Sequence, residues 1–159
     1  MEEHNGTGGI LVGVDGSEQS IEALRYAATL ATLLETPLHT VTAWTAPPVP
    51  GPLPWSPEES ARTLLDEVIA RAFDGSPPAG LVRRAVGGPA ARVLIALSPA
   101  HDMLVVGSRG RGGFRGLLLG SVSAACAAHA ECPVLIMHGN GGPGRGPESP
   151  DETASSEGG

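Results

Sequence analysis

The chain has 159 residues, 41% of them hydrophobic and only 3% aromatic, and a formal net charge of −7. That is enough chain for one domain with a substantial core, assembled from Val, Leu, Ile and Ala, and the acidic balance argues against a general nucleic-acid binder. All ten basic residues are arginine, which excludes mechanisms that need a lysine, including P-loop and protein-kinase phosphate transfer and Schiff-base chemistry.

Residues 1–8 are expected to be a flexible lead-in. They are acidic and carry no apolar signal region, which predicts a cytoplasmic chain. Ile10 to Val14 is a short apolar run of the kind that forms a buried parallel strand. It ends in Asp15, Gly16 and Ser17. Ser17 is a good N-cap, and Ile21, Leu24, Ala28 and Ala31 recur at helical spacing, predicting a helix from about Glu18 to Leu34. Pro37 restarts the chain, and Leu38 to Trp44 reads as a second strand. Thr45 to Ser56 carries five prolines and can neither continue a strand nor begin a helix early.

Ser56, Pro57 and Glu59 then supply an N-cap, a proline in the first helical turn and a capping-box acid. Leu64, Leu65, Val68, Ile69 and Ala72 form one apolar stripe, and Asp74-Gly75 stops this second helix. Leu81 to Val86 is a third strand. Gly87, Gly88 and Pro89 turn into a third helix that faces Val93, Leu94 and Leu97 inward and ends at Ser98-Pro99. Met103 to Val106 is a fourth strand, Val122 to Ala130 a fourth helix, and Pro133 to Met137 a fifth strand. From residue 138 the composition is Gly, Pro, Ser and acids without apolar period, which predicts a disordered acidic tail over 138–159. No run reaches the roughly 18 apolar residues of a membrane span.

Strands alternating with helices at this spacing predict a doubly wound α/β domain over residues 9–137, an open sheet of five mainly parallel strands with four helices. Such sheets bind ligands beyond the carboxyl ends of their strands, where the strand order reverses. Asp15 and Gly107 both fall at such ends. Gly107 to Ser121 holds six glycines and three arginines between a strand and a helix. Strand, Gly-rich loop, helix N-terminus is a geometry suited to phosphate, because free backbone N–H groups point outward there and glycine lets them come close.

Gly107, Gly110, Gly120 and Ser121 match the pattern G-x2-G-x9-G-[ST], and with it the chain resembles the universal stress proteins. Ile10 to Ser17 is similar to that family's opening strand with its aspartate, Val105 to Gly110 and Gly120 to Ser123 to its signature segments, and Cys132 to Met137 to its closing strand. The resemblance implies an adenine nucleotide alpha hydrolase-like fold, ATP as ligand, Mg or Mn on the phosphates, and a homodimer formed through the last strand, Val134 to Met137. It implies a regulatory or sensor role in the stress response, exerted on a protein partner that the sequence does not identify. Ala43, Val106 and Val122 match family positions that line the adenine and phosphate pockets. The Pro-rich loop after Trp44 and the acidic tail depart from the family pattern.

Each candidate also has a plainer reading. Asp15 could accept a ribose hydroxyl or merely close a turn onto the backbone of Gly16 and Ser17. Gly107 and Gly110 would pass phosphate-facing backbone or form an ordinary turn, and Gly112, Gly113 and Gly116 could supply only loop flexibility. Gly120 and Ser121 would present the helix start to phosphate, with the Ser121 hydroxyl as donor or simply as N-cap; Ser123 is a candidate for the same job. Arg109, Arg111 and Arg115 could pair with phosphate oxygens or be solvated loop charge, and at most one of them, Arg109, is expected to pair. Cys126 and Cys132 lack the spacing of a metal site and are expected in the core and before the last strand. His39, His101, His129 and His138 form no recognisable catalytic set.

ATP hydrolysis is expected to be slow at most, with no lysine and no evident base. The alternative is a nucleotide-free dimerisation and interaction module of the same fold. An adenylating enzyme or flavoprotein would need a longer phosphate loop than Val14 to Ser17.

Overall fold

Ile10, Leu11 and Val12 are at most 1% exposed, as a strand covered on both faces requires. They form all of β1 (Ile10–Gly13) but its last residue in a computed structural model that describes residues 8–110 and 119–139. The expectations for the lead-in, for Arg111, Gly112, Gly113, Arg115 and Gly116, and for nearly all of the tail lie outside the described residues. The elements that follow are α1 (Glu18–Leu33), β2 (Leu38–Trp44), α2 (Pro57–Phe73), β3 (Val82–Gly87), α3 (Ala90–Leu97), β4 (Met103–Gly107), α4 (Ser121–His129) and β5 (Val134–Met137). A 3-10 turn over Ser98–Ala100 closes α3.

The five strands form one parallel sheet in the order β3-β2-β1-β4-β5. Ile10 pairs with Leu38 on one side and Met103 on the other. The order therefore reverses between β1 and β4. Side chains alternate across the sheet. Ile10, Val12, Val105 and Leu38 join Ile21, Leu24, Leu65, Val68 and Ile69 beneath α1 and α2. Leu11, Val41, Leu104 and Val106 join Val93, Leu94 and Cys126 beneath α3 and α4. Each fully buried aliphatic side chain contributes about 1.5–3 kcal/mol relative to exposure. With few aromatics, small residues do the fitting: Ala23 and Ala27 are fully buried and bring α1 close to the sheet.

The helix ends follow the sequence signals. The Ser17 and Ser56 hydroxyls accept from the N–H groups of Ser20 and Glu59, capping α1 and α2. Asp74, in the left-handed region at φ 50°, ends α2. The Arg25 guanidinium on α1 donates to the carbonyls of Ala72 and Arg71, so one side chain caps α2 and fastens the two helices together. Boundaries differ by one residue in places. β3 starts at Val82 rather than Leu81, and α4 starts at Ser121 rather than Val122. Gly9, at φ +83°, lets β1 begin flush against the Pro37 carbonyl, where a Cβ would come within 2.5 Å of that oxygen.

Two histidines meet at the end of the sheet where β2 begins. His39 and His101 are both about 6% exposed, with ring centroids 4.9 Å apart in an edge-to-face arrangement. The His101 Nδ1 lies 2.9 Å from the Leu97 carbonyl and therefore donates to it. Burial first, then His101 and then Arg84 hold the His39 imidazole below its ordinary pKa. The unfolded chain thus binds a proton near pH 6.5 that the folded chain refuses. Stability is expected to fall as pH drops from about 6.5 through the lowered folded pKa, and to level off below it. Thermal unfolding across pH 5 to 8 checks this, with His39→Asn expected to flatten the slope; an unchanged slope counts against it.

Candidate functional site

Beyond the carboxyl ends of β1 and β4 the sheet opens into a cleft of about 810 Å³, counting its mouth to solvent. It sits at the reversal of strand order, where neighbouring connections leave toward opposite faces. All ten residues singled out above line it: Asp15, Ala43, Val106, Gly107, Arg109, Gly110, Gly120, Ser121, Val122 and Ser123. Sequence reasoning missed Val41, Ala90, Val93 and Leu94, which complete an apolar wall from β2 and α3. Helical spacing marked Val93 and Leu94 as core, and nothing in it distinguishes core from cleft lining; Val41 was placed only within a strand, and Ala90 was not singled out. Gly13 also lines the cleft, and a Cβ there would fall 2.9 Å from Leu94 Cδ1.

Asp15 does more than either of its simple readings. One carboxylate oxygen accepts the Ser17 N–H at 2.9 Å, closing the turn at the end of β1. The other faces Gly110 so closely that a Cβ on that glycine would collide with it. Only glycine lets the loop after β4 approach the first strand's carboxylate in this way.

The loop itself is held by Ser108, which is 2% exposed. Its N–H donates to Met137 at 2.8 Å, and its carbonyl accepts from the Gly120 N–H at 2.6 Å and the Ser123 hydroxyl at 2.7 Å. The start of α4 is thereby fixed beside the end of β4. Gly120 occupies the N-cap, and no side chain caps the helix. Ser121 is thus the first helical residue, not the cap, because the chain enters the helix one residue earlier than the alanine pattern suggests. Ser121 is exposed and lines the cleft. The Ser123 hydroxyl is spent on Ser108 and on the Gly120 carbonyl at 3.1 Å, so what Ser123 can offer a ligand is backbone. The N–H groups of this first turn have no intrahelical acceptors.

The cleft therefore has an apolar wall on one side, a carboxylate at its floor, and glycine backbone with a helix start on the other side. Such a lining accepts a molecule with a flat apolar part, hydroxyls and an anionic end. Arg109, half-buried at the rim, adds the one positive side chain in the described lining. Among the described residues no group of three or more His, Cys, Asp or Glu could hold a metal ion. Cys126 and Cys132 are unpaired, and burial raises the pKa of both thiols.

The sequence model of the Universal stress protein family matches residues 8–138. The chain is 36% identical over 149 residues to universal stress protein Rv2623 of Mycobacterium tuberculosis, covering 87% of this chain and 50% of the relative. It thus spans about half the length of the curated relatives it matches first. Among solved structures, a universal stress protein in complex with cAMP is 27% identical with a TM-score of 0.65, covering 84% of this chain and 99% of its own. The universal stress protein UspA from Lactobacillus plantarum, at 22% identity and a TM-score of 0.60 over 83% of this chain and 97% of its own, shares the fold.

The clasp at Ser108 makes a stability prediction. Ser123→Ala removes a buried donor from two carbonyls and should cost about 1–2 kcal/mol. Urea unfolding of the two proteins measures it; a difference near zero would mean that water replaces the hydroxyl.

Proposed function

The chain belongs to the universal stress protein family, and we propose that it binds ATP in the cleft and acts as a regulatory or sensor module. The observation that carries this reading is the convergence of Asp15, from the end of β1, with the glycine backbone that follows β4, more than ninety residues later. Adenine would pack on the apolar wall by Ala43 and Val106. A ribose hydroxyl would donate to Asp15. Phosphates would lie on the backbone of Gly107 to Gly110 and on the first turn of α4, with the Ser121 hydroxyl and Arg109 as further partners. A Mg or Mn ion on the phosphates would complete the charge balance. The relative solved with cAMP supports an adenine nucleotide as the ligand class.

Hydrolysis would be slow. The chain has no lysine, and among the described residues Asp15 is the one carboxylate lining the cleft, already engaged with the Ser17 N–H. ATP occupancy would instead shift the population of surfaces offered to a protein partner. A second reading, a dimerisation and interaction module that works without nucleotide, draws on β5. It is an edge strand whose four apolar residues, Val134 to Met137, are all half-buried, and a second copy could pair with it across a two-fold axis. No helix among the described residues is long and apolar enough to cross a membrane, and a cytoplasmic setting is part of the proposal.

Equilibrium binding of Mg-ATP to the purified protein tests the proposal, with AMP and cAMP as competitors. Asp15→Ala should weaken binding about tenfold or more, the loss of a hydrogen bond to a charged group. Gly110→Val should abolish it, because the new side chain displaces the Asp15 carboxylate. Absence of binding by the wild-type protein at about 1 mM ATP, a free energy weaker than about −4 kcal/mol, would leave the nucleotide-free reading.

A further inference from the structure

Gln19 does not line the cleft, yet its half-buried side chain touches the loop after β4 that does. Its Oε1 accepts the Arg109 N–H at 2.7 Å and the Ser108 hydroxyl at 3.0 Å. A backbone N–H can only donate, so the orientation of the carboxamide is fixed by this pair. The packing around it is tight. A Cβ on Gly107 would lie 3.1 Å from Gln19 Cβ, and a Cβ on Gly139 would lie 2.8 Å from both Gln19 Cγ and Nε2. The side chain thus lies between the loop that follows β4 and the chain that leaves β5.

The loop needs such an outside restraint. Ser108 and Arg109 are flanked by Gly107 and Gly110, and glycine imposes little conformational preference of its own. Ser108 is held through its backbone by Met137 and Gly120. Arg109, the residue facing the cleft, is held through its backbone by Gln19. From this we propose that Gln19 is a positioning residue. Its carboxamide fixes the Ser108–Arg109 backbone in the shape that the cleft presents to a ligand. Gly139 in turn sets the position of that carboxamide, so the chain leaving β5 controls a cleft it does not line. The ligand-affinity part of the proposal rests on the nucleotide reading above; the backbone part does not.

The test uses the full chain and two readouts: amide exchange of Arg109 without nucleotide, followed by NMR, and the affinity for Mg-ATP. Gln19→Leu keeps the bulk and removes the acceptor; Arg109 exchange should quicken, and Mg-ATP binding weaken, by about five- to tenfold, the worth of one hydrogen bond. Gln19→Glu keeps an acceptor oxygen and should return Arg109 exchange to the wild-type rate. Gly139→Ala, remote from the ligand, should reproduce the Gln19→Leu effects while the unfolding midpoint stays within about 2 °C of wild type. In Gln19→Ala the atoms that a residue-139 Cβ would meet are gone, so adding Gly139→Ala there should change nothing further. Wild-type exchange at Arg109 in Gln19→Leu overturns the proposal. So does a Gly139→Ala protein that matches wild type in both readouts, a variant that also decides the matter should Gln19→Leu fail to fold. If the wild-type protein takes up no Mg-ATP, the nucleotide reading falls, and the exchange rates alone decide the role of Gln19.

Discussion

β1 is hydrogen-bonded to β2 on one side and to β4 on the other, and the cleft depends on that double pairing. Strands wound outward from a shared central strand send their connections to opposite faces of the sheet. The gap between those connections is where β1 and β4 end. The pairing is possible because β1 has no polar face: Ile10 and Val12 turn toward α1 and α2 while Leu11 turns toward α3 and α4. A charged residue at any of these positions would have to be buried, at a cost far above that of an apolar swap. The constraint therefore runs from three aliphatic side chains to the existence of the cleft.

Within that cleft, backbone does much of what side chains do elsewhere. The glycine positions have separate reasons. Gly110 makes room for the Asp15 carboxylate, Gly107 for Gln19, and Gly13 for Leu94. Gly120 brings the start of α4 back onto the Ser108 carbonyl. A cleft built this way is rigid where the clasp holds it, and its polar groups are aimed without the rotamer entropy of long side chains. Such groups suit recognition of a ligand better than the proton transfers of catalysis.

Much of this was legible in the sequence, because the signals were local. Ser17 and Ser56 mark helix starts, Asp74-Gly75 marks a helix end, and the apolar runs at β1, β4 and β5 are short and unbroken. The strand ends that carry Asp15 and Gly107 could be read from the same signals, and the glycine spacing joined them. β3 was less sharply bounded, because an edge strand with exposed Arg83 and Arg84 shows no clean pattern. Gln19 was not legible at all. A polar residue in the first turn of a helix looks like a solvated one, and its partners lie 89 and 90 residues away. Ser108 was hidden for the same reason: its importance is in its carbonyl, which every residue has. The His39–His101 contact likewise joins residues that no spacing rule connects.

The strand order β3-β2-β1-β4-β5 also separates the molecule by time of synthesis. The first 87 residues contain three adjacent strands and the two helices that cover one of their faces. Once Gly87 has been synthesised, these elements can already form a continuous half-sheet, with β1 as its exposed edge and the α3 and α4 face bare. The remaining strands arrive later and add to that edge. Until they do, Leu11 and Val41 lack the partners that cover them. That edge and that face are what a chaperone would meet on a ribosome-bound chain, because unpaired strands and bare apolar surface are the aggregation-prone features of partly folded proteins.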